Sequence, residues 1–324
     1  MPTANQQNHI IVVGANPAYQ KNLYFDNLNI NEVNRATKSL TYAAGKGVNF
    51  CKAAQRFHQY CSVIQFLGES NCKDFIAELK ELNIHHNSIL VEQPTRTTIT
   101  AIDTEKNYAT ELIETSSEVS PEDEIQYLES FNNLCKQKNP NPVAVAICGT
   151  TPKGVSNNFY SKILNIAKNI HGKKVLLDAY INIKETLSSE IPIDILKINQ
   201  QELFSLTGEK DIISGIQLLL TRNAHLKDIA ITNGANQAYF FNGDTQKLAV
   251  FEIPNLTANI NPIGAGDTAS AVLLTKILNG VDKNEAFKYA LATASASCLN
   301  DKCAEFSFDD VKPILHQINI KYLN

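Results

Sequence analysis

No stretch of this 324-residue chain approaches the roughly 18 consecutive apolar residues of a membrane-spanning helix, and no segment is repeated or low in complexity. Met1 to His9 is polar and the first apolar run, Ile10 to Val13, is too short for a secretory signal. Cys-x-x-C is absent. The cysteines (51, 61, 72, 135, 148, 298 and 303) are odd in number and scattered, and the Cys298/Cys303 pair has no matching His or Cys ligands. The histidines are equally dispersed, and the adjacent pair His85-His86 lacks metal-ligand spacing. Reduced core thiols in a cytoplasmic protein are the expected state. Charge is nearly balanced, with Lys plus Arg 29 against Asp plus Glu 33 and a formal net charge of −4. That balance points away from nucleic acid or a membrane surface as a general partner. No linker rich in Pro, Gly or Ser interrupts a chain that is 44% hydrophobic and 19% charged, so a large core is expected.

The patterning that is present alternates strand with helix. Ile10 to Gly14 reads as a buried strand entering the turn Ala15-Asn16-Pro17, and Ser62 to Leu67 and Ser88 to Val91 read as further strands around a helix at Asp74 to Leu82. Continuous apolar runs at Val143 to Ile147, Lys174 to Leu177 and Asp228 to Ile231 are separated by helical patterns at 157–169, 200–206 and 212–222. Such alternation predicts a mainly parallel sheet covered on both faces. Two stretches differ: Leu23 to Leu28 with Ala36 to Tyr42, and Thr97 to Asp103 with Tyr108 to Ile113, alternate in polarity like exposed antiparallel strands. The C-terminal third reads as mostly helical. We expect one domain over residues 1–324, with segments of about 19–43 and 94–118 coming together as a small β-sheet lid. An exposed face or edge of that lid would suit a second copy of the chain in a homodimer.

The chain is organised around Asn261-Pro262-Ile263-Gly264-Ala265-Gly266-Asp267-Thr268-Ala269. A strand at Leu248 to Phe251 and a polar approach, residues 254–261, precede it; a small-residue apolar helix, Ala269 to Leu278, follows. Glycines at the mouth of a helix let backbone N–H groups close on an anion, and the helix dipole adds positive potential. Asp267 at that mouth suits a proton acceptor beside developing negative charge, although spacing alone equally allows a first-turn acid. The letters also fit G-x-G-x-x-A, but the next suitable acid, Asp282, opens another helical run (Lys283 to Leu299) instead of ending a strand. A nicotinamide dinucleotide site is disfavoured on that context.

Asn261 to Ala271 resembles the C-terminal signature D-T-x-G-A-G-D of the ribokinase-like (PfkB) carbohydrate kinases, with Asn261-Pro262 in place of Asp-Thr. The resemblance runs from about Ile10 to about Lys312. It is strongest to the branch that contains 1-phosphofructokinase and tagatose-6-phosphate kinase. Asn16-Pro17-Ala18-Tyr19-Gln20 resembles that branch's N-P-A-L/I-D, Ala44 to Asn49 its G-G-K-G-I/V-N, and Thr95-Arg96-Thr97 its T-R-T/x-N. Lys197-Ile198-Asn199-Gln200-Gln201-Glu202 resembles K-x-N-x-x-E, and Ile231 to Ala235 falls where the family has a nucleotide loop without its usual second glycine, with Gln237 near that place. Cys148 to Pro152 keeps only the Gly and Pro of S-G-S-L-P.

The resemblance implies a three-layer α/β/α ribokinase-like fold and an ATP- and Mg²⁺-dependent phosphotransferase acting on a ketohexose phosphate such as fructose 1-phosphate or tagatose 6-phosphate. It makes Asp267 the base and Gly264, Ala265 and Gly266 the anion hole. It places Asn16, Gln20, Gly45, Lys46, Asn49 and Arg96 on the sugar phosphate, Lys197, Asn199, Thr232 and Gly234 on the nucleotide, and Glu202 on the metal through water. Asn199 and Glu202, three apart at a helix start, equally form an ordinary capping pair. Two other readings stay open: a kinase of an unphosphorylated sugar or nucleoside, and a ligand-binding relative with decayed catalysis.

Overall fold

The computed structural model describes residues 8–323 except 107, 169, 171 and 257–260; half of the polar approach to Asn261 and the end of the helical pattern at 157–169 therefore lie outside it. Fourteen strands are present among the described residues: β1 (His9–Val13), β2 (Ala18–Phe25), β3 (Lys38–Ala44), β4 (Tyr60–Gly68), β5 (His85–Val91), β6 (Thr97–Asp103), β7 (Tyr108–Ile113), β8 (Pro142–Cys148), β9 (Lys174–Asp178), β10 (Ile193–Asn199), β11 (Leu226–Thr232), β12 (Ala238–Asn242), β13 (Lys247–Glu252) and β14 (Asn319–Leu323). The helices are α1 (Lys46–Arg56), α2 (Cys72–Glu81), α3 (Pro121–Cys135), α4 (Phe159–Ala167), α5 (Lys184–Leu187), α6 (Gln200–Thr207), α7 (Ile212–Arg222), α8 (Ala265–Leu278), α9 (Lys283–Ser297) and α10 (Phe308–Gln317).

Ten strands form one sheet in the order β14-β13-β12-β11-β10-β9-β8-β1-β4-β5. Pairings from β5 through to β11 are parallel. The period-two alternation of strand side chains sorts them between two cores. Ile10, Val12, Ala144 and Ala146 face α1, α2, α8, α9 and α10, whereas Ile11, Val13, Val145 and Ile147 face α3 to α7. This is the expected helix–sheet–helix sandwich. Ala144 and Ala146 are small because α1 packs closely on that side, where Gly14 and Gly47 leave no room for a Cβ: one built on Gly47 would lie 2.6 Å from Gly14 Cα. Helix α8 is buried at every position from Asp267 to Thr275, which is why it carries no polar stripe.

The C-terminal third departs from expectation. Beyond β11 the sheet continues as the antiparallel strands β12, β13 and β14. Their alternation is short, and tertiary packing fixes it: Phe287 on α9 sits 5.3 Å from Phe240 and 5.0 Å from Phe251, ring to ring. Burying such a ring contributes about 1.5–3 kcal/mol, enough to hold a short strand against a helix.

The second sheet has the order β3-β2-β6-β7 and is assembled from the two alternating stretches, joined by a parallel seam between β2 and β6. Its inner face carries Gln20, Asn22, Tyr42 and Thr100, all buried, and packs on residues 301–303 and Ile263 beside the start of α8. Its outer strand β7 is exposed, with Leu112 and Ile113 more than half accessible.

Candidate active site

The C-terminal ends of the central parallel strands converge on the start of α8, the crevice position typical of ligand sites in open α/β sheets. Asn16 follows β1, Gly149 and Thr150 follow β8, Asp178 ends β9, and Lys197 and Asn199 end β10. Thr232, paired in register with Asn199, ends β11. Asn16 Nδ2 donates to Thr150 Oγ1 at 3.3 Å, so the neighbouring β1 and β8 members at one end of this row touch.

Gly264 caps α8 in the left-handed conformation (φ 76°), so the helix begins at Ala265, earlier than the apolar run suggests. The Ala265 amide turns back to Pro262 O at 3.3 Å; those of Gly264, Gly266 and Asp267 have no intramolecular partner among the described residues. Unpaired N–H groups on a helix start make a ready anion cradle. A Cβ on Gly266 would lie 2.9 Å from Lys197 Nζ, so that ammonium presses directly on the cradle. Asn261, which departs from the family signature, is buried and structural. Its Nδ2 donates to Asp301 O (3.1 Å) and Asn300 O (3.4 Å), tying the entry of α8 to the segment after α9.

Asp267 is only 7% exposed, and its Oδ2 accepts from Asn49 Nδ2 at 2.8 Å. Burial raises its pKa above the usual carboxylate value; Lys46 pulls it down and Asp178 pushes it up. Asn49 Oδ1 is buried with no partner, an acceptor facing this carboxylate's surroundings without a donor of its own. Helix α1 starts at Lys46, not in the turn after it, because Gly45 takes the positive-φ position (112°) that precedes the helix. Lys46 and Asn49, three apart, therefore share a helix face and arrive together.

Lys46 Nζ donates to Asp178 Oδ1 at 2.8 Å, and Lys197 Nζ lies 3.4 Å from Asp178 Oδ2, which also accepts from Ser270 Oγ. Burial opposes the Lys46 charge, but Asp178, Asp267 and Glu202 outweigh it and raise its pKa. Burial likewise works against ionised Asp178, yet Lys197 and Lys46 hold its carboxyl well below the usual range. Sequence reasoning missed Asp178: an acid closing an apolar strand carries no distinguishing signal without its two partners.

Arg96 is half-buried; its guanidinium donates to Asn16 O at 3.3 Å, and among the described residues it has no carboxylate partner and its buried Nε has no partner at all. Gln20 is 4% exposed and engaged within the small sheet: Nε2 donates to Asn22 Oδ1 (2.9 Å) and Thr100 Oγ1 (2.8 Å), and Oε1 accepts from Thr98 Oγ1 (2.7 Å). Both its N–H groups are therefore used, leaving only Oε1 capacity for a further donor. Asn199 and Glu202 form the capping box of α6, with reciprocal bonds of 2.9 and 2.8 Å. One Glu202 oxygen remains outside that box. No group of three or more His, Cys, Asp or Glu able to hold a metal ion occurs among the described residues. The Glu202 oxygen outside the box is a hard donor of the kind a Mg²⁺ ion takes through its waters. Gly234 (φ 57°) is exposed beside the end of β11, with open space around its Cα.

Comparison with known proteins bears on this geometry directly. The pfkB family carbohydrate kinase model matches residues 7–309. The chain belongs to the pfkB family of carbohydrate kinases. Among its relatives, 1-phosphofructokinase of Haemophilus influenzae is 25% identical over 319 residues, covering 96% of this chain and 97% of the relative. Tagatose-6-phosphate kinase of Staphylococcus epidermidis is 24% identical over 317 residues, covering 96% and 99%. A Thermotoga maritima structure described as a possible 1-phosphofructokinase superposes with a TM-score of 0.86 at 17% identity, covering 98% of this chain and 100% of that one. The fold is ribokinase-like. As a pfkB kinase, this protein is a phosphotransferase with a hydroxyl acceptor, and sugar kinases of the family use ATP. No helix among the described residues is long and apolar enough to cross a membrane, and all seven cysteines are free thiols.

Proposed function

We propose that the protein transfers the γ-phosphoryl group of ATP to a hydroxyl of a phosphorylated ketohexose, of the kind represented by fructose 1-phosphate or tagatose 6-phosphate. The observation that carries the phosphorylated acceptor is Arg96. A half-buried guanidinium without a carboxylate, its Nε left without any partner, is costly unless an anion completes it. Its planar fork is suited to phosphate oxygens, and Lys46 supplies a second cation.

Asn49 orients Asp267 and offers its unpaired Oδ1 to an acceptor hydroxyl. Asp267, with a raised pKa, takes the hydroxyl proton on attack. The amides at Gly264, Gly266 and Asp267 receive the charge that develops on the transferring group. Lys197, Asn199, Thr232 and Gly234 line the side where the nucleotide would lie. Mg²⁺, held by Glu202 through water, would supply charge neutralisation on the phosphates. Most of the rate then comes from positioning and electrostatics. In this reading the protein is one catalytic domain, and the small sheet acts as a lid that excludes water from the site. The exposed strand β7 is the face on which a second copy would pack.

The test compares kcat/KM for a ketohexose and its phosphate in wild type and Arg96→Ala. Loss confined to the phosphorylated acceptor, about 10- to 150-fold for charge-assisted bonds of roughly 1.5–3 kcal/mol, supports the reading. Equal loss on both acceptors refutes it, because a phosphate clamp must discriminate.

A further inference from the structure

Asp178 lies outside every motif discussed above, yet it is the most heavily engaged carboxylate of the site. It is 1% exposed and closes β9; Lys46 reaches it from α1, Lys197 from β10 and Ser270 from α8. Two lysines thus meet two aspartates, Asp178 and Asp267, and the four charges sum to zero. Both lysines also act on Asp267, and Lys46 is its strongest attracting charge. The other groups facing Asp267 are Asn49 on α1 and the protonated thiols of Cys148 on β8 and Cys303 after α9, so none of them offers Lys46 an alternative anion.

Resting on the kinase reading, we infer that Asp178 is a positioning residue that holds Lys46 away from the proton acceptor Asp267. The physical reason is competition for one ammonium. The Lys46 stem packs beside Gly149, where a built Cβ would lie 3.4 Å from Lys46 Cβ and Cδ, which directs Nζ toward β9. Glu202 contributes at longer range and is turned into the cap of α6. With Asp178 neutralised, Asp267 becomes the strongest remaining anion for Lys46. A carboxylate paired with an ammonium is a weak base, because its pKa falls. Asp178 therefore keeps the acceptor basic while leaving Lys46 available to an incoming phosphate. The same carboxylate restrains Lys197, whose ammonium abuts Gly266 at the anion cradle.

The experiment follows the Asp267 carboxyl itself in protein labelled with ¹³C at aspartate carboxyls, the resonance being assigned by its loss in Asp267→Asn. In Asp178→Asn the Asp267 midpoint is expected to fall by about one pH unit or more, and the acid limb of kcat/KM to move down with it. Lys46→Met should raise the midpoint by more in the Asp178→Asn background than in wild type, because only there has the ammonium moved onto Asp267. An unmoved or raised midpoint in Asp178→Asn overturns the inference. So does an equal rise on Lys46→Met in both backgrounds, which would reflect only the lost repulsion from Asp178. Should Asp178→Asn not fold, Asp178→Ser, which leaves a small uncharged hydroxyl among Lys46, Lys197 and Ser270, takes its place with the same expected fall and the same refuting results. The carboxyl titration needs no acceptor, so absence of turnover on every sugar phosphate in wild type would count against the kinase reading alone.

Discussion

Alanine at Gly264 separates two costs that usually come together. Gly264 and Gly280 have nearly the same backbone, φ 76° and 78°, at opposite ends of α8. Placing alanine in the left-handed region costs about 1–2 kcal/mol at either site. The surroundings differ. At Gly280 nothing lies within 4 Å of a built Cβ; at Gly264 the Cys303 Cβ lies 2.8 Å away. Carbon atoms in contact prefer roughly 3.5–4.0 Å, so something must yield. Cys303 has little freedom to do so. It is 1% exposed, its Sγ is 3.1 Å from Tyr42 Oη, and its amide donates to the same oxygen at 3.2 Å. Overpacking of this kind adds about 1–3 kcal/mol, giving roughly 2–5 kcal/mol for Gly264→Ala against 1–2 for Gly280→Ala. Displacing the helix mouth by about 1 Å should further cost about 100-fold in kcat. Urea midpoints and steady-state rates on both variants check this. If the two lose equal stability and equal activity, the close approach of residue 303 to the catalytic turn has no energetic content and the reasoning fails.

Two further outcomes follow from the same geometry. Asp267→Asn should lower kcat by about 10²–10⁴ with ATP affinity retained; near-normal turnover on the same preparation would reduce Asp267 to an acid at a helix start. Sedimentation velocity should find a dimer in wild type that Leu112→Glu with Ile113→Glu converts to monomer, whereas a wild-type monomer at every accessible concentration would remove β7 as a contact face.

What the sequence made legible was set by how local each signal is. Strands β6 and β7 were readable to the residue, because alternation over six or seven positions repeats the same statement several times. The parallel strands were readable as apolar runs, and the helix start at Gly264-Ala265-Gly266-Asp267 as a chemical oddity at a known place. Helix α3 was not identified, although Ser120-Pro121-Glu122-Asp123 forms a complete capping box with proline at the first turn. Its apolar positions, Tyr127, Phe131 and Leu134, sit among acids that mask the period. Strand β14 depended on β13, a partner far earlier in the sequence, whereas β12 and β13 form a local hairpin whose Asn242-Gly243 turn went unread. The same distinction governs the site. Lys46 and Asn49 were visible because one helix turn relates them. Asp178 was not, because its meaning lies in an ammonium 132 residues before it and a hydroxyl 92 residues after it. Gln20 illustrates the reverse case. The resemblance places it on the sugar phosphate, and Asn22, Thr98 and Thr100 also engage its amide, through bonds that come from β2 itself and from a strand about 80 residues later. A polar side chain named by a motif can thus be satisfied by its own sheet. Among the side chains that the motifs name, Arg96 Nε and Asn49 Oδ1 are the buried atoms of the described residues still lacking a partner.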